Sequence, residues 1–446
     1  MTREERLGEL CEHVLDLVDA RAEAQVTAST TRLGLTRFAN SGIHQHVGER
    51  VTRVALKVSL GGRVASVDTT RIDRTGLSRL AERALAAASV RPVDPEWPGL
   101  APPAAIPEVS REDPATAAAS PDERARIVRG FVESGGELAA AGFVDTEADL
   151  VAFANSAGQR AEGGTTRATI DGIHQTATSA GKAHQTAQRL AALDGARAGA
   201  IAARLARDSA DPRDLSPGTY EVVLSPECVA TIIVFLAFYG FNAKMHLEGQ
   251  SFAELGQEQF DPSISVWDDA TDPRSLGLVF DAEGSPKRRF DLIERGVTTG
   301  LAHDRRTAKR AGAETTGHAV PGGEAWGAFP TNLFLAPGDA TFEQLIAEVE
   351  RGLVVTEFNY CRVLDPKTQV VTGLTRNGTF LLEGGEIAGP VTNMRFTQSF
   401  VDALAPGQVL GLTSSDRHAD SEFGPGLVHA PAARLAGWHF TGGAQG

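Results

Sequence analysis

Histidine and cysteine are the side chains that most often hold a metal or attack a substrate, and in this sequence they are scattered. His44 and His46 alternate on an expected strand and can share one face. A zinc site needs three or four donors, and no Cys, Asp or third His stands near them. His303-Asp304 runs into Arg305-Arg306 in a glycine-flanked turn, which reads as a solvated ion-pair cluster. His318 stands in ETTGHAVPGGEAWGAFPTN with Glu324, Trp326 and Asn332. A glycine-rich loop of that composition can line a substrate cleft; the alternative is a plain surface loop. Cys361, in EFNYCRVLDP, has no paired histidine motif and reads as an inert buried thiol. H-E-x-x-H, G-x-S-x-G, P-loop and Rossmann patterns are absent from the strand-to-helix junctions. An autonomous hydrolase built on His303, His318 or Cys361 therefore lacks a visible nucleophile with its base.

The elements that would position such groups begin with VATIIVFLAFYGFNAKMHLEG, residues 229–249. Its apolar run is shorter than the roughly 20 residues a bilayer requires, so it is not a membrane anchor. Gly218 to Leu224 before it reads as a strand. Ser225-Pro226-Glu227 then offers a cap, a proline at the first helical position and an early acid. A buried strand-to-helix unit follows.

The rest of the chain predicts an α+β protein: an N-terminal α/β region of helix-plus-antiparallel-sheet units, then a β-rich, barrel-like C-terminal domain. A first helix is expected near 3–22, strands over 26–68 with a hairpin at Gly61-Gly62, and an alanine-rich helix opened by Asp73. This forms an N-terminal α/β domain, 1–90. Eight prolines between 91 and 121 mark 91–120 as a linker. Ser120-Pro121-Asp122-Glu123 caps a helix from about 121 to 141 and opens a central α/β region, 121–215. RFANSGIHQHVGE at 37–49 echoes AFANSAGQRAEGG at 152–164, so one helix-plus-meander unit could occur twice. Asn40 and Asn155 within the echo read as turn residues. A helix over 187–207 closes this half, and 216–446 is glycine-punctuated and strand-like.

A formal charge of −14 argues against nucleic acid or an anionic membrane as partner. The N-terminus is an amphipathic helix pattern rather than a signal peptide, and three dispersed cysteines suit a reducing compartment. The expected location is cytoplasmic.

FDAEGSPKRRFDLIERGVTTGLAHDRRTA, TNLFLAPGDATFEQLIAEVERGLVVTEF and GTFLLEGGEIAGPVTNMRFTQSFVDAL together resemble the TldD/PmbA (TldE) family. RFANSGIHQHVGE and GGRVASVDTTRID extend the resemblance over nearly the whole chain. It implies a pair of related chains, of which the TldD-like one carries H-E-x-x-x-H on a helix after a strand, completed by a cysteine near the C-terminus. There the histidines would bind zinc and the glutamate act as base toward a bound water. In this chain IIVFLAFYG stands where that motif is expected, so Val234 and Tyr239 replace the histidines and Phe235 the glutamate. The segment Thr392 to Gln398 offers no thiol and resembles the TldE/PmbA side.

The resemblance therefore implies a TldE-like subunit with no catalytic residue or metal of its own, paired in a heterodimer with a TldD-like zinc peptidase. Its substrate would be an unfolded peptide, or an amide bond in peptide or natural-product maturation. Substrate or interface contacts are expected from His318, Glu324, Trp326, Asn332 and Arg395. The alternative is a stand-alone homodimer that binds peptides without cutting them.

Overall fold

A computed structural model describes residues 3–443 of the chain. The N-terminal half is one six-stranded antiparallel sheet with helices on a single face. In chain order it holds α1 (Arg3–Asp16), β1 (Glu23–Ala39), β2 (Gly42–Leu60), β3 (Arg63–Thr69), α2 (Arg74–Val90), α3 (Pro114–Ala117), α4 (Pro121–Ser134), β4 (Ala139–Asn155), β5 (Arg160–Gln175), β6 (Ala180–Ala187) and α5 (Gly195–Asp208). The strand order is β3-β2-β1-β4-β5-β6, so the regions 1–90 and 121–215 meet along β1 and β4 as one sheet. The two three-strand meanders are arranged alike about that seam. Phe38 and Phe153 of the sequence echo stand near the ends of β1 and β4, before the equivalent turns.

Alternation along the strands sends one face inward. α1 and α2 cover Ala24, Val26 and Ala28 at one end, while α4 and α5 cover Phe38, Val144 and Ile170 at the other. Local signals set the helix starts. The Asp73 carboxylate accepts from Gly76 N at 2.7 Å, and Ser120 with Glu123 closes a capping box. α5 starts at Gly195 rather than 187, because β6 runs to Ala187 and Asp194 supplies the cap by accepting from Arg197 N.

The proline-rich stretch is not a free linker. Arg111, buried, donates to the carbonyls of Ala270 (2.8 Å) and Pro273 (3.2 Å), and Arg306 pairs with Asp94 at 2.5 Å. Residues 91–120 thus form a strap bound to the second half.

That half contains β7 (Gly218–Leu224), α6 (Pro226–Phe235), α7 (Ala243–Leu247), β8 (Val266–Asp268), β9 (Phe290–Glu294), β10 (Val297–Thr298), α8 (Arg305–Ala311), α9 (Gly323–Trp326), β11 (Leu333–Leu335), α10 (Phe342–Ala347), β12 (Arg351–Val355), β13 (Phe358–Asp365), β14 (Val370–Thr375), β15 (Thr379–Glu383), β16 (Glu386–Pro390), β17 (Met394–Ser399), α11 (Phe400–Ala403), β18 (Val409–Ala419) and β19 (Val428–Gly443). Its thirteen strands form an open, branched sheet rather than a closed barrel. The path β10-β9-β8-β11-β19-β7-β12-β15-β16 ends in free edges, and β17, β14, β13 and β18 branch from β19. Parallel pairing of β7 with β12 buries β7 in the sheet, which is why Val222, Val223 and Leu224 are all apolar rather than alternating. Among the described residues no helix is long and apolar enough to cross a membrane.

Candidate functional site

The β7–α6 junction lies at the centre of the second half. Ser225 occupies the N-cap position, but its hydroxyl donates to the Thr356 carbonyl at 2.5 Å instead of capping the helix. That bond ties the helix start to the end of β12. From Cys228 to Ala237 every side chain of the helix is buried, which an amphipathic surface helix never shows. The helix then widens into a π-turn over Leu236–Gly240, closed by Phe241 N donating to Leu236 O at 3.0 Å. π-turns interrupt helices at points where side chains must be re-aimed. Here Phe238 and Tyr239 emerge half-buried while Val234 and Phe235 stay in the core. Gly240 is required at the turn's end, since a Cβ there would strike the Phe252 ring.

Around this turn six aromatic rings assemble from three segments distant in sequence. Phe235 stacks on Phe423 (centroids 5.2 Å apart, planes 10° apart), and Phe238 meets Tyr239, Phe329, Phe423 and Trp326 at 4.9, 5.1, 5.3 and 6.2 Å. Trp326 is 60 % exposed and Phe423 41 %. Large apolar surface left in water at the edge of a packed cluster marks a contact site rather than ordinary surface. The Asn242 amide donates to Trp326 O at 2.7 Å and fixes the tryptophan loop beside the π-turn.

The segment 420–423 joins this ledge to a half-buried charge cluster. Asp420 lies 2.9 Å from Lys182 Nζ, Glu422 lies 3.3 Å from Arg362, and Phe423 covers Phe235. Lys182, on β6, also contacts Glu357 (2.8 Å) and Asp171 (3.2 Å), and Asp171 meets His184 Nδ1 at 3.1 Å. Burial disfavours the Lys182 ammonium, but Glu357, Asp171 and Asp420 outweigh that and hold its pKa above the ordinary lysine value. For Glu357 burial outweighs the help from Lys182 and Asn377, so its carboxyl stays raised.

Two places in the chain bear on zinc binding. Val234 and Phe235 have no donor atom, and burial raises the Tyr239 phenol, so the helix positions do not fit a metal. Among the described residues the one compact His/Asp/Glu/Cys group is Asp171, His184 and Asp420. The Lys182 ammonium already supplies the cation there, so this group does not fit a metal either.

The residues expected from sequence to make substrate or interface contacts are dispersed. His318 lies in an irregular segment, but its side chain is fully buried, with Nε2 3.2 Å from Asp268 Oδ1 and Nδ1 hydrogen-bonded to Thr316 Oγ1 at 2.8 Å. Asn332 is buried too, its N–H donating to Asp268 Oδ2 at 2.6 Å. Both serve to satisfy one interior carboxylate, which unpaired would be costly. Burial works against the Asp268 charge, but His318, Lys287 and the Asn332 backbone N–H outweigh it and hold the carboxyl at about 2. His303 is buried, and burial lowers its pKa; Cys361 is buried, and burial raises its thiol. Glu324 is exposed and reaches Lys57 on β2 at 2.6 Å. Arg395 is exposed on β17 opposite Gly442, at the far end of β19 from Val428, which pairs with Leu333. Of the expected set, Trp326 joins Phe235 and Tyr239 in the aromatic group. Phe423, Phe329 and Lys182 were not anticipated; an aromatic in the glycine-proline run EFGPG was the available signal for Phe423.

These features define a class: an α+β chain of two open sheets whose strand-to-helix junction presents an aromatic ledge. Residues 217–442 match the PmbA/TldA metallopeptidase C-terminal domain. The chain belongs to the PmbA/TldD metallopeptidase family. It is 29% identical over 216 residues to a metalloprotease of Methanothermobacter thermautotrophicus, covering 47% of this chain and 46% of that one. It is 30% identical over 160 residues to metalloprotease PmbA of Escherichia coli O157:H7, covering 35% and 32%. The matched region thus spans less than half the length of these relatives. TldE from Thermococcus kodakarensis shares the fold over 97% of this chain and 99% of that one, with a TM-score of 0.85 at 18% identity.

Proposed function

We propose that this chain is a non-catalytic, TldE-like subunit of a heterodimeric zinc metallopeptidase. Its TldD-like partner would hold the zinc, the substrate being an unfolded peptide or an amide bond in peptide or natural-product maturation. The observation that carries the reading is the packing of Val234, Phe235 and Tyr239: two side chains without donor atoms lie in the core, and the third is one ring of an aromatic cluster. In this reading the ledge of Trp326, Phe423 and Phe238 faces the space shared with the partner and holds apolar side chains of an extended chain. Each such contact contributes on the order of 1 kcal/mol or more by area burial.

Co-expression with a TldD-like chain tests it. The pair is expected to carry one zinc per heterodimer and to cleave an unstructured peptide, while this chain alone binds no zinc and cleaves nothing. W326A and F423A should lower kcat/KM of the pair about tenfold together, without separating the subunits. Zinc binding and cleavage by the lone chain would overturn the reading, and peptide capture by a homodimer without any partner would favour a stand-alone binding protein.

A further inference from the structure

On the face of the N-terminal sheet, between the helix pair α1/α2 and the pair α4/α5, lies a cavity of about 190 Å³. Register puts its floor together. Gly34 pairs with Gly48 and Thr36 with His46, while Ala148 and Thr146 flank Arg32 and Gly34 on β4. Cross-strand partners project to the same side, so Arg32 and His46 stand over a patch of sheet whose centre has no side chains. A Cβ on Gly34 would collide with the guanidinium of Arg124, which reaches in from the first turn of α4.

Arg124 is 3% exposed and has no carboxylate partner among the described residues. Its Nε donates to Thr36 Oγ1 at 3.2 Å, and its Nη1 donates to Ala119 O at 3.0 Å and Thr146 Oγ1 at 3.2 Å. These neutral acceptors fix the fork and leave Nη2 without a protein acceptor among the described residues. The nearby acids are committed elsewhere. Glu123 closes the capping box on Ser120, and Asp113 accepts from Thr116. Asp145, Glu147 and Asp149 alternate with the cavity-facing residues of β4 and project from the other side of the sheet. Burial, and then the neighbouring Arg32 charge, pulls the Arg124 pKa below its ordinary value. A buried guanidinium ordinarily has an anion beside it, and the start of a 14-residue helix adds favourable potential for one.

We propose that this cavity is a binding site for a phosphoryl group, held by Arg124 and Arg32 with His46 at its rim. Two guanidinium groups and a helix N-terminus suit a dianion better than a single carboxylate, and planar forks bind phosphate oxygens two at a time. The site is on the opposite half of the molecule from the aromatic ledge and does not depend on the subunit reading.

Isothermal titration of the full-length chain with sodium phosphate, at neutral pH and ionic strength fixed with sodium chloride, tests it. One saturable site per chain is expected. R32Q removes an exposed side chain and should weaken binding about tenfold or more, the loss of one charge-assisted contact, whereas R351Q on the other sheet should leave it unchanged. Glycerol 3-phosphate should compete, and acetate should bind at least about tenfold more weakly. Heats that follow ionic strength alone, equal affinity in R32Q and R351Q, or equal affinity for acetate and phosphate would each overturn the proposal.

Discussion

Replacing Lys182 by methionine keeps the length of the side chain and removes the cation shared by Asp171, Glu357 and Asp420. Those carboxylates lie 3.2, 2.8 and 2.9 Å from the ammonium, and its side chain is 18% exposed. Removing one partner of a buried pair typically costs about 3–5 kcal/mol, since it strands charge without solvent. Spread over a cooperative unit of 446 residues, with about 2 cal/mol/K of unfolding entropy per residue, that is a fall in Tm of about 3–5 °C. If the C-terminal half unfolds as its own unit the fall is about twice as large.

The sign with pH follows from linkage. In the native chain the Lys182 pKa is raised, so its contribution is fully present below the unfolded lysine value of 10.5 and is lost as pH rises through the folded one. In K182M the stranded carboxylates gain raised values, so the folded variant takes up protons as pH falls. The gap between K182M and the native chain should therefore be largest at neutral pH and narrow toward pH 5. Calorimetry at both values reads this directly. Adding E357Q to K182M should restore part of the loss, because Glu357 has its carboxyl raised even with the lysine present. A K182M protein within about 1 °C of native at neutral pH, or a gap that widens in acid, would refute the reasoning.

Three further outcomes are expected. H318F leaves Asp268 buried without the imidazole that stands 3.2 Å from its carboxylate and should destabilise by about 3 kcal/mol in thermal unfolding at neutral pH. In the native chain the Asp268 carboxyl is held at about 2 against 3.8 unfolded, a contribution of about 2 kcal/mol that is present above pH 4 and lost between 4 and 2, so acid titration of native and H318F proteins should converge across that window. Cys11, Cys228 and Cys361 are buried, and burial pushes the Cys11 thiol up to about 12, so a thiol reagent at mildly alkaline pH should label none in the native chain and three after denaturation. G240A should lower Tm by several degrees, because its Cβ meets the Phe252 ring inside the π-turn, and the combination with F252A should recover part of that loss.

Much of the local structure was legible because it is written in adjacent residues. The capping box at Ser120, the cap at Asp73 and the hairpin at Gly61-Gly62, both with positive φ, each rest on a few consecutive side chains. Tertiary decisions were not legible. Ser225 has the right type and place for a cap, yet its hydroxyl goes to Thr356, 131 residues away. His318 sits among glycines like a loop residue, yet the carboxylate of Asp268, on a short strand 50 residues earlier, draws it into the core. A proline-rich stretch reads as a linker until the backbone carbonyls around Ala270 are seen to accept from Arg111.

The same reasoning explains why the strand-to-helix junction could be located in the sequence while the ledge over it could not. Val234 and Phe235 are apolar in an apolar run, so their burial follows from neighbours alone. Phe423 is isolated in a polar, glycine-rich segment, and its place on Phe235 is set by Asp420 and Glu422, which fasten the segment to Lys182 and Arg362. The charge cluster is thus the device that holds the ledge in register: Lys182 comes from the N-terminal sheet, Glu357 and Asp420 from connections of the C-terminal half. Loss of the lysine should loosen the 420–423 segment before it unfolds the chain. Hydrogen exchange in K182M should accordingly rise first at Glu422, whose amide donates to Thr231 Oγ1 on α6 at 3.3 Å.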